Sequence, residues 1–437
     1  MPDCSTNTIH FSSCKRRKVE ADFSGGNITS DGGTLLLKLA DKRLSLIHEV
    51  SQHIDDQRRQ ASCDHDIETM LRQRVFGLCL GYEDLNDHHD LRHDPAIQTA
   101  LGKDTSLASP PTLCRFENRA DRDLAWKIHQ VFVDKFIASF DTPPEELILD
   151  FDATDDPVHG NQEGRFFHGY YDHYCFLPLY VFCDDQLLVS YLRPSKIDGA
   201  KHTGAILKLL VKRLRSVWPE VRITLRGDSG FCRRKVLLWC ERNNVNYIVG
   251  LAKNSRLQAM TSSRIEQAAA DFNSTKEKQR LFGEVEYGAK SWGKNRRVIV
   301  KAEHNSKGPN TRYVVTNLSG DPQELYDKLY CQRGEMENRI KEQQLDLFAD
   351  RTSCHKWWSN QFRLILSSLA YVLMDTIRRL GLVNTELANA CCNTIRLKLL
   401  KIGAVILRNT RRVRFLLSSS YPFKELFRTV HLQLNTG

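Results

Sequence analysis

The chain has 437 residues, 41% of them hydrophobic and 27% charged, a composition that supports a folded polypeptide with room for two or three domains of roughly 100–200 residues. No apolar run approaches the roughly 18 residues of a membrane-spanning helix, and the longest candidate, Leu364 to Leu373, is interrupted by Ser367 and Ser368. The net charge of +10 is unevenly placed: residues 351–437 hold 14 Lys or Arg against 3 Asp or Glu, while the rest of the chain is balanced at 49 against 50. A basic excess confined to the last fifth points to a polyanionic partner.

Lys15-Arg16-Arg17-Lys18 lies near the N-terminus with no apolar core after it, so a secretory leader is not expected. The thirteen cysteines are scattered and form no Cys-x-x-Cys pair, which fits a reducing, cytoplasmic compartment. His88, His89, His93, Cys63 and His65 match no structural zinc spacing.

In chain order, residues 1–33 are polar, with Gly25-Gly26 and Gly32-Gly33 marking turns. From Thr34 to about Phe140 the apolar residues recur at helical spacing, as in Ile67, Met70, Leu71, Val75 and Leu78 and again in Ala125, Ile128, Val131, Phe132 and Phe136. Beyond Pro143-Pro144 the period shortens. Leu147 to Phe151, Tyr174 to Cys183 and Leu187 to Leu192 are β-rich; Gly204 to Val217 is an amphipathic helix; Val221 to Leu225 is a strand, Arg233 to Arg242 a helix and Tyr247 to Leu251 a strand. Three strands, helix, strand, helix, strand predict a mixed α/β sheet covered by helices. Residues 255–318 interrupt this rhythm with a polar helix and two strand-like runs, Arg297 to Ala302 and Tyr313 to Val315. A long helix from Gln323 towards Leu347 and an apolar one from Phe362 to Leu380 follow. The expected organisation is a helical N-terminal region (1–140), a core in two parts (141–254 and 319–385) around a β-rich insertion (255–318), and a basic C-terminal region (386–437).

Three carboxylates stand where chemistry could be done. Asp152 ends the run Leu147-Ile148-Leu149-Asp150-Phe151-Asp152, and Asp228 follows Val221 to Leu225 within Arg226-Gly227-Asp228-Ser229-Gly230-Phe231. Carboxyl ends of parallel strands open into the crevice where ligands bind. Glu337 lies on the long helix, where Tyr330, Arg333, Glu337, Lys341 and Gln344 are spaced to share one α-helical face. Two Asp and one Glu suit Mg²⁺, and a pair of such ions supports in-line phosphoryl transfer. Arg333 and Lys341 would grip phosphates. Asp150 competes with Asp152, since residues two apart on a strand share a face.

These residues resemble the DDE transposases of bacterial insertion sequences, in the insertion-sequence-four-like branch. Its signature, Tyr-x2-Arg-x3-Glu-x6-Lys, is matched by Tyr330, Arg333 and Glu337, with Gln344 in place of the lysine. Asp152-Ala153-Thr154 and Asp228-Ser229-Gly230-Phe231 match the contexts of the first two acids, and the former favours Asp152 over Asp150. The resemblance, over about Asn27 to Pro422, implies a ribonuclease-H-like catalytic core with a β-rich insertion between the second and third acids. It also implies Asp152, Asp228 and Glu337 as catalytic metal ligands for two Mg²⁺ ions, with Mn²⁺ able to substitute. The implied reaction is cutting of donor DNA at terminal inverted repeats and joining of the ends to target DNA, with double-stranded DNA as partner and a dimer as the working state. The same acids would serve a nuclease that does not join ends, and the fold could persist in a non-catalytic DNA-binding derivative.

The remaining expectations concern DNA. Tyr330, Arg333 and Lys341 are candidate phosphate ligands. In the basic C-terminal region so are Arg408, Arg411, Arg412 and Arg414, set between the apolar runs Val405 to Leu407 and Phe415 to Leu417. Arg115 and Arg119, after the turn Ser109-Pro110-Pro111, are candidates for a recognition helix. Trp292, in Tyr287 to Trp292, is a candidate stacking platform for a flipped base; a strand tryptophan packed in the insertion is the competing reading.

Overall fold

The computed structural model describes residues 8–59, 61 and 63–436. Contacts divide the chain into two units: Met1–Ile47, Asp56–Cys114 and Thr376–Gly437 form one, His48–Asp55 and Arg115–Asp375 the other. Strands are numbered along the chain, β1 to β17. None of the helices among the described residues is long and apolar enough to cross a membrane.

The first unit holds both ends of the chain. β1 (Ile9–Cys14) and β2 (Arg17–Ala21) form an antiparallel hairpin that sequence reading missed, because its polar residues hide the alternation. β3 (Ile28–Thr29) pairs with β16 (Ala404–Arg408), which pairs in turn with β17 (Val413–Leu417). The basic C-terminal segment is therefore built onto residues 28–29. The helix Ile67–Leu80 follows the expected stripe but is buried nearly all round. Asp66 caps its start by accepting the Thr69 amide at 2.7 Å, and Gly81, at φ 92°, ends it. Arg396 donates to two of the last carbonyls, at 2.8 Å to Cys79 and at 3.2 Å to Leu78, which also accepts the Gly81 amide.

The second unit is built on one large mixed sheet. Its members are β4 (Glu146–Ala153), β8 (Leu179–Cys183), β9 (Gln186–Tyr191), β10 (Arg222–Gly227), β11 (Asn246–Leu251), β12 (Gln279–Tyr287), β13 (Arg296–Asn305), β14 (Gly308–Pro309) and β15 (Arg312–Thr316). Across the sheet the order is β12-β13-β15-β11-β10-β4-β8-β9, with β14 beside β13. β4, β10 and β11 are parallel neighbours; β8 runs antiparallel to β4, and β15 antiparallel to β11. Residues 255–318 thus supply strands that extend this sheet: β13 and β15 lie at the two strand-like runs expected in the insertion, and β12 is the one the sequence pattern did not give. The expected strand Tyr174 to Cys183 is broken: β5 (Asp156–Pro157), β6 (Phe166–His168) and β7 (His173–Phe176) make a separate small sheet, and Pro178, unable to donate to a ladder, precedes β8.

Alternation along β4 sorts its residues between two layers. Leu147, Leu149 and Phe151 join a core with Leu207, Leu214, Trp218, Val236 and Leu237, which come from the helix Thr203–Val217, the residue that ends it, and the helix Arg234–Arg242. Asp150 and Asp152 point to the opposite face. That face is covered by the segment from Pro322 to Asp346 and by the helix Trp357–Thr376, whose Gln361 receives the Leu192 amide at 2.7 Å and donates to the Ser190 carbonyl at 3.0 Å.

Candidate active site

Asp152, the penultimate residue of β4, lies on the layer shared with the third-acid helix, its side chain 15% exposed. One residue beyond β10, Asp228 caps a short 3-10 turn, Ser229–Phe231, by accepting the Gly230 amide at 2.8 Å. A Cβ at residue 230 would fall 2.9 Å from Asp228 Oδ1, so only glycine allows the carboxylate to close so tightly on this turn. Because β10 is the parallel neighbour of β4, in register from Arg222 with Glu146 to Gly227 with Phe151, the two acids emerge at the same end of adjacent strands.

The third acid is brought in by a helix that departs from the expected regular one. A short α turn at Pro322–Glu324 gives way to a π segment at Leu325–Tyr330; an α segment then spans Arg333–Lys341, and a second π segment Glu342–Asp346. The wider turns change the phase at which residues repeat, so the five-residue stripe does not lie along one α-helical face. What survives is its centre. Arg333 reaches Glu337 at 2.5 Å, one α turn away, and Asp152 at 3.4 Å. Arg333 is therefore the link between the first and third acids.

Burial pushes the Asp152 carboxyl up to about 7; Arg333 opposes this, and the charges of Asp228 and Glu337 push it further up. Tyr330 is likewise raised by burial, with Arg333 lowering and Asp228 raising it. These couplings place the three acids, Tyr330 and Arg333 in one electrostatic neighbourhood. Among the described residues, no three His, Cys, Asp or Glu side chains are grouped closely enough to hold a single ion; the positive charge between Asp152 and Glu337 belongs to Arg333.

Beside the acids lies a cavity of about 270 Å³, lined by Asp228, Tyr330 and Arg333 together with Lys253 and Arg312. Sequence reading missed these last two cations. Lys253 follows β11 and Arg312 opens β15, and only the pairing of those strands brings them to Asp228. Gly250 makes room here: a Cβ would meet the Tyr330 hydroxyl at 2.7 Å and the Ser229 amide nitrogen at 2.8 Å.

Asp150 has a different task. It is buried and bound by Arg226 through two bonds, Nε–Oδ1 at 2.5 Å and Nη2–Oδ2 at 2.6 Å, while Arg226 Nη1 donates to the Leu329 carbonyl at 2.5 Å. With its carboxylate taken up in this clamp, Asp150 ties β4, through Arg226, to the helix just before Tyr330, while Asp152 faces Arg333.

Other expected residues are placed differently. Gln344 turns to the loop after the first acid, donating to the Asp155 carbonyl at 2.9 Å, with the Thr154 hydroxyl at 3.5 Å. Lys341 is exposed and does not line the cavity. The stacking expectation for Trp292 gives way to its competing reading: the ring is only 5% exposed, sits edge-on to Tyr287 at 5.7 Å and carries the Arg296 guanidinium at 5.1 Å. Buried against Tyr287 and Arg296, the ring packs as a core side chain of the insertion. Arg408 is likewise engaged inside its unit, donating to Gln98 Oε1 and Thr99 Oγ1, both at 2.9 Å, and to the Pro95 carbonyl. It secures the helix Pro95–Ala100 to β16, so its guanidinium is spent on holding the unit together. Arg411, Arg412 and Arg414 are exposed at the β16–β17 turn and on β17. Arg115 lies exposed in the last turn of the helix Pro110–Glu117, and Arg119, also exposed, lies beyond its end.

The family model described as "Transposase DDE domain group 1" matches residues 11–436. The chain belongs to this family. Membership over nearly the whole length makes it a member of a class of enzymes that cleave and transfer DNA, and such domains generally use divalent metal ions. A search of curated proteins finds no match. Among solved structures, this DDE-family chain is similar to the piggyBac transposase in its synaptic complex with hairpin DNA, at 12% identity over 85% of this chain and 80% of that one. The TM-score is 0.43, too low a likeness to bear on fold or site.

Proposed function

We propose that this DDE-family chain is the transposase of a bacterial insertion sequence, in the insertion-sequence-four-like branch. In this reading it binds the element's terminal inverted repeats, cuts donor DNA and joins the ends to target DNA. The observation that carries the reading is the convergence of Asp152, Asp228, Glu337 and Arg333 where two parallel strands end beneath the third-acid helix. A sheet ordered β9-β8-β4-β10-β11, with the acids on the first and fourth of these strands in chain order, supports a ribonuclease-H-like core.

The donor set fits divalent metal. Hard oxygen ligands suit Mg²⁺, with Mn²⁺ as a substitute, and Asp152 is a carboxyl raised by burial and by two like charges, which a cation would relieve. Asp152, Asp228 and Glu337 would hold the ions. Held there, two Mg²⁺ would supply activation of a water or 3′-hydroxyl and charge neutralisation at the leaving oxygen. The chain's own groups do the rest. Arg333, released from Asp152 and Glu337, offers a two-pronged guanidinium to a phosphate. Lys253 and Arg312 add positive charge along the cavity wall, and the Tyr330 hydroxyl, an ordinary neutral phenol that burial keeps protonated, donates a hydrogen bond to a backbone oxygen. Gln344, held to the Asp155 carbonyl, positions the loop after the first acid, and Lys341 keeps an exposed charge for DNA further out. Arg411, Arg412 and Arg414 are proposed for backbone contact, Arg115 and Arg119 for recognition, and a dimer for holding two ends together.

The test is cleavage and joining of a DNA fragment carrying the element's end, with Mg²⁺, comparing the wild type with Asp228→Ala. Loss of both activities with DNA binding retained is the expected result. Cleavage without joining in the wild type would make the protein a nuclease, and activity surviving in Asp228→Ala would remove the three-carboxylate site.

A further inference from the structure

The N-terminal hairpin is the feature that the active site does not use. All eleven residues of β1 and β2 are exposed. Its register pairs Ile9 with Ala21 and Phe11 with Val19, so these four apolar residues share one face, while His10 and Glu20, 3.3 Å apart, lie on the other. Phe11 is 58% and Ile9 46% exposed. The turn is made by Lys15, at φ 58°, and Arg16, so that Lys15-Arg16-Arg17-Lys18 forms a continuous cationic tip.

A two-stranded hairpin is marginal in water on its own and gains stability when one face is covered. Only Glu20 and Asp22 oppose four consecutive cations, so charge complementarity selects a polyanion as the cover. The major groove of B-DNA, about 12 Å wide, admits a two-stranded ribbon, and apolar side chains can meet thymine methyl groups there. The hairpin leads through Asp22 to Asn27 into β3, which pairs with β16. The same unit therefore presents two cationic hairpins, this one and the β16–β17 turn with Arg411 and Arg412.

We propose that β1–β2 is a DNA-binding arm: a β-ribbon that enters the major groove of duplex DNA by its Phe11 face while Lys15, Arg16, Arg17 and Lys18 neutralise flanking phosphates. The proposal rests on the reading that the protein works on DNA and adds to it a second contact site outside the catalytic unit.

Binding of the full chain to a labelled duplex carrying the element's end, measured by fluorescence anisotropy between about 50 and 200 mM salt, tests it. Each phosphate contact contributes about 0.9 to the slope of log affinity against log salt, so the variant with all four tip cations changed to Ala should lose about 3 to 4 from that slope. Phe11→Asp, which keeps the tip, should weaken binding with a nearly unchanged slope. A quadruple variant with wild-type affinity and slope overturns the arm while leaving the catalytic reading intact. A wild type that binds no DNA overturns both. If Phe11→Asp instead converts a dimer to a monomer in sedimentation, with DNA affinity per chain unchanged, the apolar face belongs to a second copy and the groove proposal fails.

Discussion

Replacing Arg226 by Met tests whether the buried clamp organises the third-acid helix. In the wild type the Arg226 and Asp150 side chains are 5% and 2% exposed, and the guanidinium also holds the Leu329 carbonyl. The substitution keeps much of the apolar stem but leaves a buried carboxylate and a carbonyl without their donor. Burial already raises the Asp150 pKa, with Arg226 the main opposing influence, so the lone acid would take up a proton rather than stay charged. Breaking such a pair from one side costs roughly 3–5 kcal/mol. Urea unfolding followed by circular dichroism should show that loss as a lower midpoint with an unchanged slope. Asp150→Leu combined with Arg226→Met removes both charges and should recover most of the stability, because well-packed apolar replacements of buried pairs are often neutral. Catalysis should not recover with it, since Leu329 remains unheld one residue before Tyr330. A single variant within about 1 kcal/mol of the wild type would refute the clamp, because the expected penalty is several times larger. A doubly substituted chain with full strand cleavage would refute its role in positioning.

Two further outcomes follow from the geometry. Trp292→Ala should destabilise the protein by roughly 3–5 kcal/mol, as expected for emptying a core aromatic site, while DNA affinity of the folded fraction stays within a few-fold of the wild type; stability unchanged and end-binding lost would restore the stacking role. Glu303 resists acid: burial tends to raise its pKa, but hydrogen bonds from Asn310, Lys301 and Lys278 overcome this and bring it to about 2, below its usual 4.5. A depressed carboxyl stabilises the fold above its unfolded pKa and loses that contribution as pH falls through the folded one. Glu303→Gln should therefore lower the urea midpoint at pH 7 and differ progressively less from the wild type between pH 4.5 and 2; a gap that widens on acidification contradicts this.

The residues that the structure brings together around Arg333 carry a signal in the sequence. Asp152 and Asp228 end apolar runs of strand length, and the Tyr330, Arg333 and Glu337 spacing follows local helical periodicity, so short-range pattern was enough to find them. The same is true of the helix Arg122–Ala138, whose buried residues recur at helical spacing, and of β9, β10 and β11, which stand out as short apolar runs. Local pattern could not show which acid is structural. Asp150 and Asp152 share a strand face, and only the parallel pairing of β4 with β10 sets Arg226 against Asp150 and leaves Asp152 facing Arg333. Nor could it show that Lys253 and Arg312, 59 positions apart, flank one cavity, because that requires β15 to fold back beside β11. The burial of Trp292, the inward turn of Arg408 and the joining of residues 28–29 to 404–405 have the same origin. Each depends on contacts between residues distant in sequence, which side-chain periodicity does not encode. The sequence by itself determined many of the element types and the candidate carboxylates; tertiary packing decided which charges are spent on holding the fold and which stay available to act.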